Sequence, residues 1–175
     1  VMAHSPKGLV LSGGPASVHA HGSPRPDPAV LECGLPMLGI CYGMQLLVQL
    51  HGGRVVPAKR REYGHAKVAV HAGGSLFDGL PKELDVWMSH GDGAAKLGNG
   101  FKVLASTPSA PFAAIGDDDR RMYGVQFHPE VAHTPQGAKL LANFARRVCG
   151  LKTRWNMAGF LDTAVADVKA RVGPE

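Results

Sequence analysis

Cysteine is scarce. There are three in 175 residues, Cys33, Cys41 and Cys149, an odd number with no close pair. That excludes a disulfide framework or a zinc knuckle and favours a reducing compartment. No apolar run approaches the roughly 18 residues needed to cross a bilayer, and no signal-peptide pattern is present; a cytoplasmic protein with no membrane partner is expected. The formal charge is +5, but the densest basic cluster, Lys59-Arg60-Arg61, has no aromatic interleaving. It reads as solvated surface rather than a nucleic-acid footprint, so no nucleic-acid partner is expected. No internal repeat occurs. Gly (23) and Pro (13) make the chain rich in turns, while a hydrophobic fraction of 45% is ordinary for a folded protein of one-domain size.

Along the chain, Gly8 to Leu11 is a short apolar run closed by Ser12-Gly13-Gly14-Pro15, a buried strand ending in a tight turn. Residues 20–28 form a surface loop, and Ala29 to Cys33 ends a helix stopped by Gly34. Leu35 to Ile40 reads as a second buried strand and Met44 to Leu50 as a helix, with Cys41 at the junction. Lys67 to Val70, Leu84 to Met88, Phe101 to Ala105 and Phe112 to Ile115 give a β-rich middle, with a polar turn at Asp117 to Arg120. Met122 to Phe127 is a further buried strand, ended by His128-Pro129. Gln136 to Cys149 reads as a helix. Met157 to Val172 is another, with Phe160, Leu161, Ala164, Val165, Val168 and Val172 on one stripe. Helices around several buried strands point to an α/β layered domain.

Three pieces carry chemistry. Gly39-Ile40-Cys41-Tyr42-Gly43 has the form of a nucleophile elbow, in which flanking glycines permit a sharp strand-to-helix turn. A cysteine at a helix N-terminus is stabilised as the thiolate by backbone N–H groups and the helix dipole. Alone, the pentapeptide is equally compatible with a small buried cysteine on a packed turn. His128-Pro129-Glu130 closes the strand 122–127. Parallel strands end on the same side of a sheet, so His128 can meet Cys41, and Glu130 can hold the other imidazole nitrogen. A lone structural histidine is the bland alternative; beside an elbow cysteine, a Cys-His-Glu triad is the stronger reading. The Ser12-Gly13-Gly14 turn can aim backbone amides at a ligand, as an oxyanion hole requires, though by itself it is only a tight turn. His128 and His133 have the spacing of a zinc half-site, but no second half-site lies near Cys41 and Pro129 breaks any helix presenting both. No metal is expected. His19 and His21 sit in a loop and read as solvent-exposed.

Leu-Ser-Gly-Gly-Pro at 11–15, Gly-Ile-Cys-Tyr-Gly-Met-Gln at 39–45 and Tyr-Gly-Val-Gln-Phe-His-Pro-Glu at 123–130 together resemble the class I (triad) glutamine amidotransferases. Tyr42, Trp87-Met88-Ser89-His90-Gly91-Asp92 and Val131-Ala132-His133-Thr134 look most like the branch found in GMP synthetases. The resemblance implies a three-layer, flavodoxin-like α/β fold with a mostly parallel central sheet flanked by helices. It implies that Cys41 attacks the side-chain amide of L-glutamine, that His128 protonates the departing ammonia and then activates water, and that Glu130 orients His128, through a γ-glutamyl thioester. Backbone amides of Gly14 and Tyr42 would hold the oxyanion, while Gln45, Ser89, His90, Gly91 and Asp92 would line or brace the glutamine pocket. From the residues alone, Ser89 to Asp92 read only as a polar turn after an apolar strand.

The resemblance further implies that the ammonia passes to a synthetase (ATP-pyrophosphatase) domain, in the same natural chain or a separate subunit. That domain, using ATP and Mg2+, would aminate xanthosine monophosphate to GMP. No cofactor is expected in the present domain, and a homodimeric full-length protein is among what the resemblance allows. Residues 1–150 are expected to form the amidotransferase domain and 151–175 a connector helix toward the absent synthetase domain; a helix covering its own core is an equal reading of the tail. The family's first strand and helix, with an Asp-Phe-Gly-Ser-Gln-like turn, have no counterpart before Val1. A truncated domain with weak or absent glutaminase activity is therefore expected. An elbow-cysteine redox sensor or binding module, a γ-glutamyl peptidase and another class I amidotransferase are the rival readings.

Overall fold

The computed structural model describes residues 4–71, 74–152 and 157–173. Its strands are β1 (Leu9–Leu11), β2 (Met37–Ile40), β3 (Arg54–Val70), β4 (Glu83–Lys96), β5 (Lys102–Ser106), β6 (Ala114–Asp117) and β7 (Met122–Val125). Its helices are α1 (Pro28–Glu32), α2 (Tyr42–Leu50), α3 (Gly137–Asn143), which runs on into a π-helical turn at Phe144–Val148, and α4 (Met157–Val172). The strands form one seven-stranded sheet in the order β1-β2-β7-β6-β5-β3-β4.

The sheet is mixed. Parallel pairing, which the family resemblance extends to most of the sheet, is confined here to β1, β2 and β7, in register Leu9↔Met37 and Met37↔Met122. Antiparallel pairing joins β7 to β6, β6 to β5, β5 to β3 and β3 to β4. The short connection between β6 and β7 favours a hairpin, longer connections join β3 to β4 and β5 to β6 in antiparallel pairs, and β2 and β7 are joined by a long crossover.

Alternation along the central strands divides the core in two. Leu38, Ile40, Tyr123 and Val125 point to one face, where Leu140, Phe144 and Val148 of α3 and the π-helical turn cover them. Met37 and Met122 point to the other, against Met44, Leu47 and Val48 of α2. Layers of helix, sheet and helix follow from this period-two pattern. Close approach of α2 depends on Gly43, where a Cβ would lie 2.0 Å from the Leu11 carbonyl oxygen of β1. Only a residue without a side chain lets the first turn of α2 rest on that strand.

Strands β3 and β4 are much longer than the segments 67–70 and 84–88 expected from sequence. Ser89 to Asp92 is not a turn but lies inside β4, with Tyr63↔Ser89, Glu62↔His90 and Pro57↔Asp92 as cross-strand partners. The register shifts between Pro57 and Glu62, and this bulge, with glycines at 91 and 93, conceals the alternation in the sequence. On α4, Val165, Val168 and Val172 are exposed, so these members of the apolar stripe do not cover the domain's core. The side chains of Phe160 and Leu161, and all of Trp155, lie outside the described residues.

Candidate active site

The sharp turn out of β2 places Cys41 at the N-cap of α2, with φ 50° and ψ −105°. A non-glycine residue in that region is strained, and such strain is maintained only where surrounding structure over-determines it. Here the Cys41 N–H donates to the Val125 carbonyl at 2.8 Å, carrying the parallel pairing of β2 with β7 into the turn. The sulfur is 3.5 Å from the Ser89 carbonyl oxygen of β4 and 3.6 Å from Gln126 Nε2, just beyond β7.

The end of β7 brings in the second member. His128 Nδ1 is 2.7 Å from Glu130 Oε1, which leaves Nε2 as the ring nitrogen not held by that carboxylate. The His128 N–H donates to the Trp87 carbonyl at 2.9 Å, and the Thr134 hydroxyl donates to the His128 carbonyl at 2.6 Å. The same hydroxyl oxygen accepts from the Trp87 N–H at 3.1 Å, so the His128 backbone is fastened to β4. Hydrogen bonding to Cys41, and then to Glu130, outweighs desolvation and raises the His128 pKa from 6.5 to about 9. The imidazole is therefore a cation through the neutral range.

Gly13, in the turn after β1, packs against both groups: a Cβ there would lie 3.0 Å from His128 Cε1 and 3.6 Å from Cys41 Cβ. Gly14 follows it on the wall of a cavity of about 850 Å3 that is also lined by Cys41, Tyr42, Gln45, Ser89, His90, Gly91, Asp92 and His128. Tyr42 opens α2, so its N–H is among those with no intrahelical acceptor. Its hydroxyl donates to the Pro24 carbonyl at 2.6 Å, tying the loop after β1 to the elbow. Thus the cavity gathers every site residue singled out from sequence except Glu130, which stands behind His128.

Four residues not assigned a role from sequence also belong to the site. Arg61 and Tyr63 line the cavity from β3; Arg61 was legible only as part of a basic cluster. Glu62 Oε2 lies 3.1 Å from His90 Nε2, while His90 Nδ1 is 3.0 Å from the Asp92 carbonyl oxygen. His90 is buried in step with Leu84, Val86 and Met88, and that alternation was the available signal. Gln126 is buried between Gln45 and Cys41. The other histidines stand apart: His19 and His21 are exposed, and His133 stacks on Trp87 with ring centroids 4.6 Å apart. Among the described residues no helix is long and apolar enough to cross a membrane.

Comparison with known proteins agrees with this geometry. The family model described as glutamine amidotransferase class-I matches residues 1–148. The chain is 48% identical over 174 residues to a GMP synthase [glutamine-hydrolyzing] of Elusimicrobium minutum, covering 99% of this chain and 34% of the relative. It is 53% identical over 171 residues to the protein of that name from Thermomicrobium roseum, covering 98% of this chain and 32% of the relative. The chain thus spans about a third of the length of these curated relatives. A crystal structure of a putative GMP synthase subunit protein from Thermoplasma acidophilum superposes with a TM-score of 0.69 at 34% identity, covering 82% of this chain and 73% of that one. A glutamine amidotransferase from Thermotoga maritima, 21% identical with a TM-score of 0.62 over 69% of this chain and 65% of that one, shares the fold. The chain belongs to the class I glutamine amidotransferase family.

Proposed function

We propose that this chain hydrolyses L-glutamine to glutamate and ammonia at Cys41, and that in the full-length protein the ammonia is used for ATP-dependent amination of xanthosine monophosphate to GMP. The observation that carries the first part is an elbow cysteine facing an imidazole whose far nitrogen is held 2.7 Å from Glu130. The relatives' names support the second.

The Cys41 thiolate attacks the side-chain amide carbon, forming a C–S bond and an oxyanion that the Gly14 and Tyr42 amides hold. Collapse breaks the C–N bond as His128, a cation at neutral pH, gives its proton to the departing nitrogen. Ammonia leaves a γ-glutamyl thioester. Neutral His128 then takes a proton from water, whose oxygen attacks the thioester carbon; the C–S bond breaks, glutamate departs, and the thiolate–imidazolium pair is restored. Glu130 keeps the ring in orientation through both steps.

Arg61 and Asp92 face the same cavity, and neither is taken up in an ion pair among the described residues. A cation and an anion lining one cavity suit the α-carboxylate and α-ammonium groups of glutamine. ATP and Mg2+ chemistry is assigned to the synthetase part of the full-length protein, with residues 151–175 as the connector.

The test is glutamate release from glutamine by the full-length protein, compared with Cys41→Ala. The alanine variant is expected to lose about 10³-fold or more in kcat, on the scale of removing a covalent nucleophile. Equal turnover by both proteins would sink the mechanism. GMP formation on adding xanthosine monophosphate and ATP checks the acceptor separately.

A further inference from the structure

The Asp92 carbonyl accepts from Gln45 Nε2 at 2.9 Å, which fixes which end of that amide is nitrogen. The same NH2 group lies 3.4 Å from Gln126 Oε1. Gln126 must then turn its own NH2 toward Cys41, and Nε2 is 3.6 Å from the sulfur. Both glutamines are nearly inaccessible, at 3% and 2% exposed, so water does not compete for these amides. The orientation is settled by a backbone carbonyl two links away rather than by choice of rotamer.

The sulfur meets different partners in its two protonation states. As a thiol it can donate to the Ser89 carbonyl oxygen at 3.5 Å. As a thiolate it has nothing to donate and needs N–H groups. Titratable and charged groups near it are His128 and, through that ring, Glu130; Tyr42, Arg61 and Asp92 line the same cavity, and His90 and Glu62 are joined to the network at the Asp92 carbonyl. Gly13, from the turn after β1, brings only backbone. Gln126 is thus the neutral donor whose hydrogen bond survives whatever proton His128 holds.

We infer that Gln126 is a further catalytic residue: its side-chain amide, clamped by Gln45, donates to the Cys41 sulfur and stabilises the thiolate, both before attack and when water displaces it from the thioester. Gln45 is then a positioning residue acting through Gln126, besides lining the cavity. This rests on the glutaminase reading above for its place in turnover, but the thiolate itself can be followed without glutamine.

In the full-length protein, the pH dependence of Cys41 alkylation by iodoacetamide, followed on the Cys41 peptide by mass spectrometry, distinguishes a donor from a packing residue. Gln126→Leu removes the donor. Gln126→Glu keeps the shape while replacing the NH2 with oxygen, and serves if the leucine variant does not fold. Either variant is expected to move the alkylation midpoint up by about one pH unit, lowering the rate below the midpoint roughly tenfold, with the glutamate substitution moving it further. On the scale of a lost oxyanion-hole donor, kcat for glutamine should fall by about 10–10²-fold. A folded Gln126→Glu variant with the parent's alkylation profile would overturn the inference, even if its turnover were reduced. A shifted profile in a protein that does not hydrolyse glutamine would instead remove the glutaminase reading and leave the donor role standing.

Discussion

His128 carries a linkage between catalysis and folding. Its pKa is raised from 6.5 to about 9 in the folded chain, first by Cys41 and then by Glu130. A folded-state value above the unfolded one means that the native protein binds more protons between the two. The stabilisation is fully present below about pH 6.5 and is lost as pH rises through 9. Because the site opens on a cavity, solvent screening reduces the effect to about 1 kcal/mol. Urea unfolding at pH 6.5 and pH 9.5 is therefore expected to show a loss of that order in the parent and a flatter dependence in His128→Gln. An equal slope in both proteins would place the linkage elsewhere. Cys41, His128 and Glu130 were legible in the sequence because short, position-bound motifs carry them. Gln126 was written inside one of those motifs, but nothing in a sequence says toward which atom a buried amide turns.

Elements were legible wherever one period governed them. Met37 to Ile40 and Met122 to Val125 are buried on both faces, and continuous apolar runs announce such strands. The β3–β4 pair was hidden because its alternation runs through His90 and glycines, and because the register shift between Pro57 and Glu62 interrupts it. That pair supplies one wall of the site and also fastens the catalytic loop through Thr134. Thr134 is 5% exposed and its single hydroxyl serves both the Trp87 N–H and the His128 carbonyl. Thr134→Val, similar in shape, takes the side-chain partner from two part-buried backbone groups. It should cost about 1–3 kcal/mol in thermal or chemical unfolding. It should also lower kcat about tenfold or more, since misplacement of His128 by even 1 Å is felt in the chemistry. A variant with lower stability and unchanged kcat would show that β4 supports the fold without setting the position of His128.

At the scale of the molecule, one wall of the site is attached less firmly than the others. Among the described residues β1 pairs only with β2, over three residues, and Val10 at that edge is 53% exposed. The Ser12-Gly13-Gly14 turn hangs from its end, so an oxyanion donor proposed at Gly14 depends on the shortest strand of the sheet. By contrast, the elbow is held by β7 and α2, and His128 by β4. A short edge strand with unpaired backbone groups is the part of a sheet that opens at least cost. Leu9→Pro in the full-length protein removes the N–H that β1 donates to the Pro36 carbonyl at 2.8 Å; the variant is expected to alkylate at Cys41 nearly as the parent does, yet to hydrolyse glutamine with a kcat about 10²-fold lower, the scale of one misplaced oxyanion donor. Parallel assays of iodoacetamide alkylation and glutamate release on the two proteins separate these effects. Matching kcat values would show that Gly14 keeps its place without intact β1 pairing, and a matching loss in both assays would put the defect at the elbow itself.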